Sequence, residues 1–305
     1  MTNNKLNIMV LLGGPGAERE VSLTSGAAVA KALTQAGHNV QTSDIGPDDL
    51  SALDTPDIDL FFPVLHGTFG EDGQLQKIME DRKLKFTYSD SVASQLAMDK
   101  YRSKLVFTEV GLYTAPSRLV QNPDMAEKII DEIGTPCVIK PNCQGSSVGI
   151  AIAKDRDTAV AATLEVLAKY GDCLVEKFIS GPEFTVGILL DKPLPVLEVR
   201  VKTGFYDYEA KYQSETTEYI LDPEISLRQS QAIQAAGLHA FGALGCRDLA
   251  RVDFILADAK PYILEVNTIP GFTDHSLVPK SAAHIGMTMA EICDKIAQNA
   301  FARPI

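Results

Sequence analysis

The chain has 305 residues, 45% of them hydrophobic and 22% charged, enough for two or three compact units around a large buried core. A formal net charge of -12 excludes the basic stripe that repays phosphate contacts in a nucleic-acid-binding protein, while leaving room for small anionic ligands. Five cysteines, at 137, 143, 173, 246 and 293, form no CxxC pair and are odd in number, so buried reduced thiols are expected rather than a disulfide framework.

Residues 6–12 form a continuous apolar run ending in Gly13-Gly14, the pattern of a central parallel strand buried on both faces. The run is too short to span a bilayer and no small-residue cleavage site follows it, so a cytoplasmic protein with no membrane partner is expected. A helix is predicted over 22–36, stopped by Gly37, with strands over 39–45 and 59–65 and helices over 73–82 and 91–110. This alternation gives an open α/β unit over roughly the first 95 residues. Strands over 136–140, 147–154 and 173–178 around a helix over 157–170 read as a small α+β module. From Glu183 come longer strands (FTVGILL and PLPVLEVR), a loop over 206–219 rich in Tyr, Glu and Lys, a helix over 226–244 and strands over 248–256 and 261–267. Helices after His275 and Thr288 close the chain, and Thr288 and Glu291 have capping-box spacing. With no internal repeat and no long linker, the units are expected to pack around a shared cleft.

The strongest local signal is RVDFILADAKPYILEVN. A hairpin centred on Ala259 pairs Asp253 with Glu265 and Arg251 with Asn267, and strand alternation puts the four side chains on one face. Two carboxylates and an amide oxygen are hard ligands of the kind magnesium takes while also holding phosphates. The arginine beside them can neutralise charge developing in a transition state. The competing account is a polar, solvated strand face. Lys140 is carried inward by the apolar strand PCVIK, whereas Lys100, Lys177 and Lys211 are each open to reading as surface charges. The segment 144–149, QGSSVG, can fold over phosphates or form an ordinary turn, and is not a Walker loop. GGPGAERE, over 13–20, invites a dinucleotide-binding reading, but its spacing is wrong for G-x-G-x-x-G. The helix start there suits an anion, and Glu20 suits an ammonium. His66 stands at a predicted strand end, where ligands collect in open α/β sheets; a hydrogen-bonded loop histidine is the alternative. PGFTDHSL, from Pro270, offers backbone N–H groups to an oxyanion or a carboxylate, or is a plain helix entry.

Eight stretches, LLGGPGAEREVSL, LHGTFGEDG, AMDKYRSK, VIKPNCQGSSVG, VEKFISGPEFTV, FYDYEAKY, ARVDF and LEVNTIPGFTDHSLVP, resemble in order and spacing the D-alanine–D-alanine ligases of the ATP-grasp superfamily. The resemblance covers nearly the whole chain. It implies an ATP-grasp fold, mixed α/β and α+β. The expected units are an N-terminal open α/β substrate domain over 1–97, a central ATP-grasp subdomain over 98–182 and a C-terminal subdomain over 183–305 with metal and D-alanine sites. It implies two D-alanine substrates, ATP and two magnesium ions, with manganese as a substitute, and a homodimer is the expected assembly. Lys100, Lys140 and Lys211 match positions that contact or order the ATP phosphates. Glu176, Lys177 and Ile179 match the adenine hinge, Glu183 the ribose contact, and Ser146 and Ser147 the covering loop. Asp253, Glu265 and Asn267 match metal ligands. Glu20 matches the residue holding the first D-alanine's ammonium, and His66 a neighbour of that substrate. Arg251 and the Gly271 backbone match the oxyanion site, Ser276 and Leu277 the second D-alanine pocket. Glu20, Ser146 and Tyr212 match a triad joining three segments over the closed site.

The chain departs from the family's commonest pattern at Gln144, where a glutamate usually stands, at Asn142-Cys143, in place of a Ser-Arg type pair, and at Tyr88, in place of a glycine. Three rival readings are a depsipeptide-forming relative using D-lactate, an NAD-dependent oxidoreductase, and an inactive nucleotide-binding scaffold. The EAKY segment with Tyr212 argues against the first.

Overall fold

The computed structural model describes residues 4–16, 18–145, 148–201, 217–273 and 275–304. The first apolar run becomes strand β1 (Asn7–Gly13), flanked in parallel by β2 (Asn39–Ile45) and β3 (Leu60–Pro63) in the order β2-β1-β3. Both faces of β1 are covered, which is why its run is apolar without alternation. Ile8 and Val10 pack against Val29 and Leu33 of helix α1 (Arg19–Gln35), while Met9 and Leu11 pack against Leu75 and Met79 of α2 (Gln74–Asp81). A buried serine of α1 stitches strand ends together: Ser22 Oγ accepts from Gly13 N (2.9 Å) and donates to the Val64 carbonyl (2.6 Å).

The single helix expected over 91–110 is two helices, α3 (Ser91–Met98) and α4 (Lys100–Glu109). Asp99 separates them with extended dihedrals, φ −77 and ψ 94, and its carboxylate accepts from Arg102 N to cap α4. Asn142 holds the break from outside. Its Nδ2 donates to Asp99 Oδ1 (2.9 Å), its Oδ1 accepts from Tyr101 N (2.8 Å), and its carbonyl accepts from Lys100 N (3.3 Å). The unusual Asn142 therefore fixes the first turn of α4, and with it Lys100.

The second sheet is antiparallel, with β4 (Ser117–Val120), β5 (Cys137–Lys140), β6 (Ala151–Ala153) and β7 (Cys173–Lys177) in the order β4-β7-β5-β6. Helices α5 (Ala126–Ile133) and α6 (Arg156–Tyr170) close its far face. Sequence reading gives neither β4 nor α5, because four residues and eight residues are too short for periodicity to stand out. The third sheet runs β11-β10-β8-β12-β13, from β8 (Glu183–Leu189), β10 (Leu197–Val201), β11 (Thr217–Ile220), β12 (Leu249–Ala257) and β13 (Lys260–Asn267). The short β9 (Lys192–Pro193) pairs with β8, and α7 (Leu227–Ala243) buries one face through Ile233, Ala240 and Phe241. Helices α8 (Leu277–His284) and α9 (Met289–Ala302) follow, with α9 opened by the expected Thr288–Glu291 capping box. Although last in sequence, α9 packs Ile292 and Ile296 on the first sheet. No helix among the described residues is long and apolar enough to cross a membrane.

Four of the five cysteines are buried as expected; Cys143 is exposed. Tyr88 occupies a backbone conformation, φ 70, that favours glycine. Its ring is 1% exposed and meets Phe62 edge-on at 5.4 Å, so the residue fills the core at the cost of backbone strain. Its N–H donates to Asp248 Oδ2 (2.7 Å), a carboxylate that also accepts from Asn299 and Arg303. The Tyr88 hydroxyl has no hydrogen-bond partner among the described residues. Tyr88→Phe is therefore expected to stabilise the protein by about 1 kcal/mol, since a buried orphan hydroxyl is removed at unchanged shape. Urea unfolding reads this as a higher midpoint at constant slope.

Candidate active site

A cleft of about 520 Å³ lies between the second and third sheets, a size suited to a small organic ligand. Lys140, Glu176, Lys177 and Ile179 line it from one side, and Glu183, Asp253 and Glu265 from the other, with Lys100 and Gln144 at one end.

The hairpin β12–β13 sets the far wall. Its register pairs Asp253 with Glu265 and Arg251 with Asn267, as the sequence predicts, but by a different local route. The turn is the two-residue pair Asp258-Ala259, both at positive φ, closed by Ala257 opposite Lys260. Continued unbroken, that register would set Glu265 opposite Val252, on the face buried against α7. A bulge at Leu264 shifts the pairing by one residue and returns Glu265 and Asn267 to the Asp253 face. On that face Asp253 accepts from Arg251 Nε and NH2 (2.8 Å each), Thr185 Oγ1 (2.6 Å) and Asn267 Nδ2 (3.0 Å). Glu265 Oε2 lies 3.3 Å from Lys100 Nζ. Among the described residues no three His, Cys, Asp or Glu side chains gather into a metal cage. Two carboxylates and an amide suit an ion that takes its remaining ligands from water and phosphate, as magnesium does.

Lys140 and Glu176 face each other across β5 and β7. Glu176 Oε1 lies 2.6 Å from Lys140 Nζ, and Oε2 lies 2.9 Å from Lys104 Nζ. Burial acts to raise the Glu176 carboxyl, but the two ammonium groups outweigh it and hold the group at about 2. Burial lowers Lys104, partly offset by Glu176. Lys100 Nζ donates to the Gln144 carbonyl (2.6 Å), so the departure at Gln144 leaves a backbone contact that any residue supplies.

At the strand ends of the first sheet, His66 Nδ1 lies 3.1 Å from the Ile269 carbonyl. Glu71 accepts from Gly67 N (2.8 Å) and Ile269 N (3.3 Å), tying the His66 loop to the segment after β13. Burial and then the nearby Glu18 push Glu71 up to about 8. A carboxyl raised in the folded state stabilises it fully below its unfolded value near 4.5, and that contribution is lost as pH rises through about 8. Glu71→Gln is expected to flatten stability over that window, which denaturation midpoints against pH would read.

The structure corrects one assignment. Glu20 is exposed on the first turn of α1. Glu18 is the residue that reaches the strand ends: its Oε2 lies 3.3 Å from the point where a side chain at Gly67 would begin, and 3.5 Å from that point at Gly145. Two residues along a helix start is a rotation of about 200°, enough to turn one glutamate away as the other turns in. In PGFTDHSL, Ser276 Oγ accepts from Thr273 N (2.9 Å) beside Gly271, and Leu277 packs on Leu197 and Val199. Ser146, Ser147, Lys211 and Tyr212 lie outside the described residues.

Lys104, Thr185, Glu71, Glu18 and the Glu198–Arg200 pair that also lines the cleft are given no site role by the sequence alone. Lys104 sits one turn after Lys100 in AMDKYRSK, and this i,i+4 spacing was the available signal.

Two antiparallel sheets gripping a lysine-rich cleft, beside a parallel α/β unit, define an ATP-grasp protein. A family model described as D-ala D-ala ligase C-terminus matches residues 109–298. The chain is 41% identical over 298 residues to a D-alanine–D-alanine ligase of Syntrophotalea carbinolica, covering 97% of this chain and 96% of that one. It is 42% identical over 300 residues to one of Marinobacter nauticus, covering 98% and 92%. The fold is similar to the Bacillus anthracis D-alanine–D-alanine ligase complexed with ATP, with a TM-score of 0.83, 29% identity and 97% of each chain covered. It is also similar to the VanG D-Ala:D-Ser ligase from Enterococcus faecalis, with a TM-score of 0.86, 27% identity and 98% and 100% covered. The chain belongs to the D-alanine–D-alanine ligase family.

Proposed function

We propose that the chain joins two D-alanine molecules to D-alanyl-D-alanine with hydrolysis of ATP to ADP and phosphate, a step in peptidoglycan precursor synthesis. The observation that carries this reading is the Arg251–Asp253–Asn267 and Glu265–Lys100 face opening onto the lysine-lined cleft. ATP lies in that cleft, its adenine against Glu176, Lys177 and Ile179, its ribose by Glu183, and its phosphates toward Lys100 and Lys140. Lys211, Ser146 and Ser147 complete the phosphate cover. Asp253, Glu265 and Asn267 would hold two magnesium ions, or manganese, which would supply positive charge to neutralise a transferred phosphoryl group. The three parts follow the division 1–97, 98–182 and 183–305. The enzyme works in the cytoplasm, the compartment that supplies ATP, and acts as a homodimer.

The first D-alanine carboxylate attacks the terminal phosphorus, giving an acyl phosphate and ADP. Glu18 holds that substrate's ammonium near His66, in place of Glu20, and the triad becomes Glu18, Ser146 and Tyr212. The amine of the second D-alanine, seated at Ser276 and Leu277, attacks the acyl carbon. Arg251 and the Gly271 N–H stabilise the oxyanion, and phosphate leaves. The test is ADP formation with D-alanine alone, with and without magnesium, and with D-lactate or D-serine added. Absence of ADP until D-lactate or D-serine is present would sink the reading. The dinucleotide alternative has little support: Asp44, at the end of β2 where a ribose would bind, is engaged by Arg19.

A further inference from the structure

We infer that Lys104 is a positioning residue that frees Lys140 for the ATP phosphates by supplying the second counter-charge to Glu176. The inference rests on ATP binding in the cleft between the second and third sheets. Two ammonium groups share one carboxylate here: Glu176 lies 2.9 Å from Lys104 Nζ and 2.6 Å from Lys140 Nζ, with side chains 4%, 2% and 7% exposed. The group carries one net positive charge in a buried place, which a bound anion would balance.

The two lysines are not equivalent. Lys140 lines the cleft together with Glu176, while Lys104 stands behind Glu176, outside that lining. Lys104 is fixed from the opposite side, donating to Thr114 Oγ1 (2.7 Å), which in turn donates to the Ile263 carbonyl of β13 (3.0 Å). Glu176 is thus held between a lysine anchored to the third sheet and a lysine facing the ligand. With Lys104 replaced by an apolar side chain, Lys140 becomes the sole partner of Glu176. The pair is then neutral, and its attraction for phosphate falls. The remaining carboxylate and ammonium stay balanced, so this substitution leaves no uncompensated buried charge.

This mechanism makes a signed prediction for a pair of substitutions. Lys104→Met should weaken ATP binding roughly tenfold or more, the scale of a charge-assisted contact, and raise the KM for ATP while that for D-alanine stays put. In a Glu176→Gln background the group that captures Lys140 is already neutral, so adding Lys104→Met there should cost little further ATP affinity, whatever Glu176→Gln itself costs at the adenine. A purely structural role for Lys104 predicts the same loss in both backgrounds. Calorimetric titration of ATP and magnesium into the unmodified protein, Lys104→Met, Glu176→Gln and the double variant decides the matter. ATP affinity in Lys104→Met within twofold of the unmodified protein overturns the inference, as does an equal loss from Lys104→Met in the Glu176→Gln background. An unmodified protein that takes up no ATP overturns the reading of the cleft itself, a distinguishable result.

Discussion

Arg251→Ala is expected to lower kcat by about 100-fold or more, roughly 3 kcal/mol of transition-state stabilisation, while ATP affinity changes little. The guanidinium is buried, and its Nε and NH2 both engage Asp253, so its orientation is set before any substrate arrives. A preorganised positive charge favours an oxyanion more than it favours a ground-state carboxylate or a distant adenine. Steady-state kinetics paired with an ATP titration separates the two effects. Turnover that survives the substitution would remove Arg251 from the acyl-transfer step.

Asp253→Ala should remove turnover and also cost about 3–5 kcal/mol of stability, because it strands a buried guanidinium without its counter-charge. Thr185 and Asn267 lose their acceptor as well. The two consequences come apart in the double variant Arg251→Met/Asp253→Leu, which removes both charges together. Its unfolding midpoint should recover most of the loss, whereas activity should not return. A midpoint in Asp253→Ala equal to that of the unmodified protein would show that the pair adds little to the fold.

Much of the cleft was readable in the sequence where chemistry and strand alternation coincide. Asp253, Glu265, Arg251 and Asn267 interrupt apolar strands on either side of a short turn, and such interruptions stand out. Lys140 stands out for the same reason. Glu18 and Glu20 could not be told apart, because two carboxylates two residues apart at a helix start differ only in direction, and direction depends on how α1 sits on β1. The break at Asp99 was hidden within a helical pattern, and it depends on Asn142, 43 residues away.

What the sequence determined by itself was the family, the order of the motifs and the residue types that meet in the cleft, because these depend on local chemistry and spacing. Tertiary structure alone decided the rest. The Leu264 bulge, which puts Glu265 on the Asp253 face, follows from burial of Phe254 and Ile263 against α7. The place of Lys104 behind Glu176, and the Glu71 tie between Gly67 and Ile269, join segments up to 198 residues apart. Such contacts depend on which groups the packed sheets shield from water, and no local pattern carries that information.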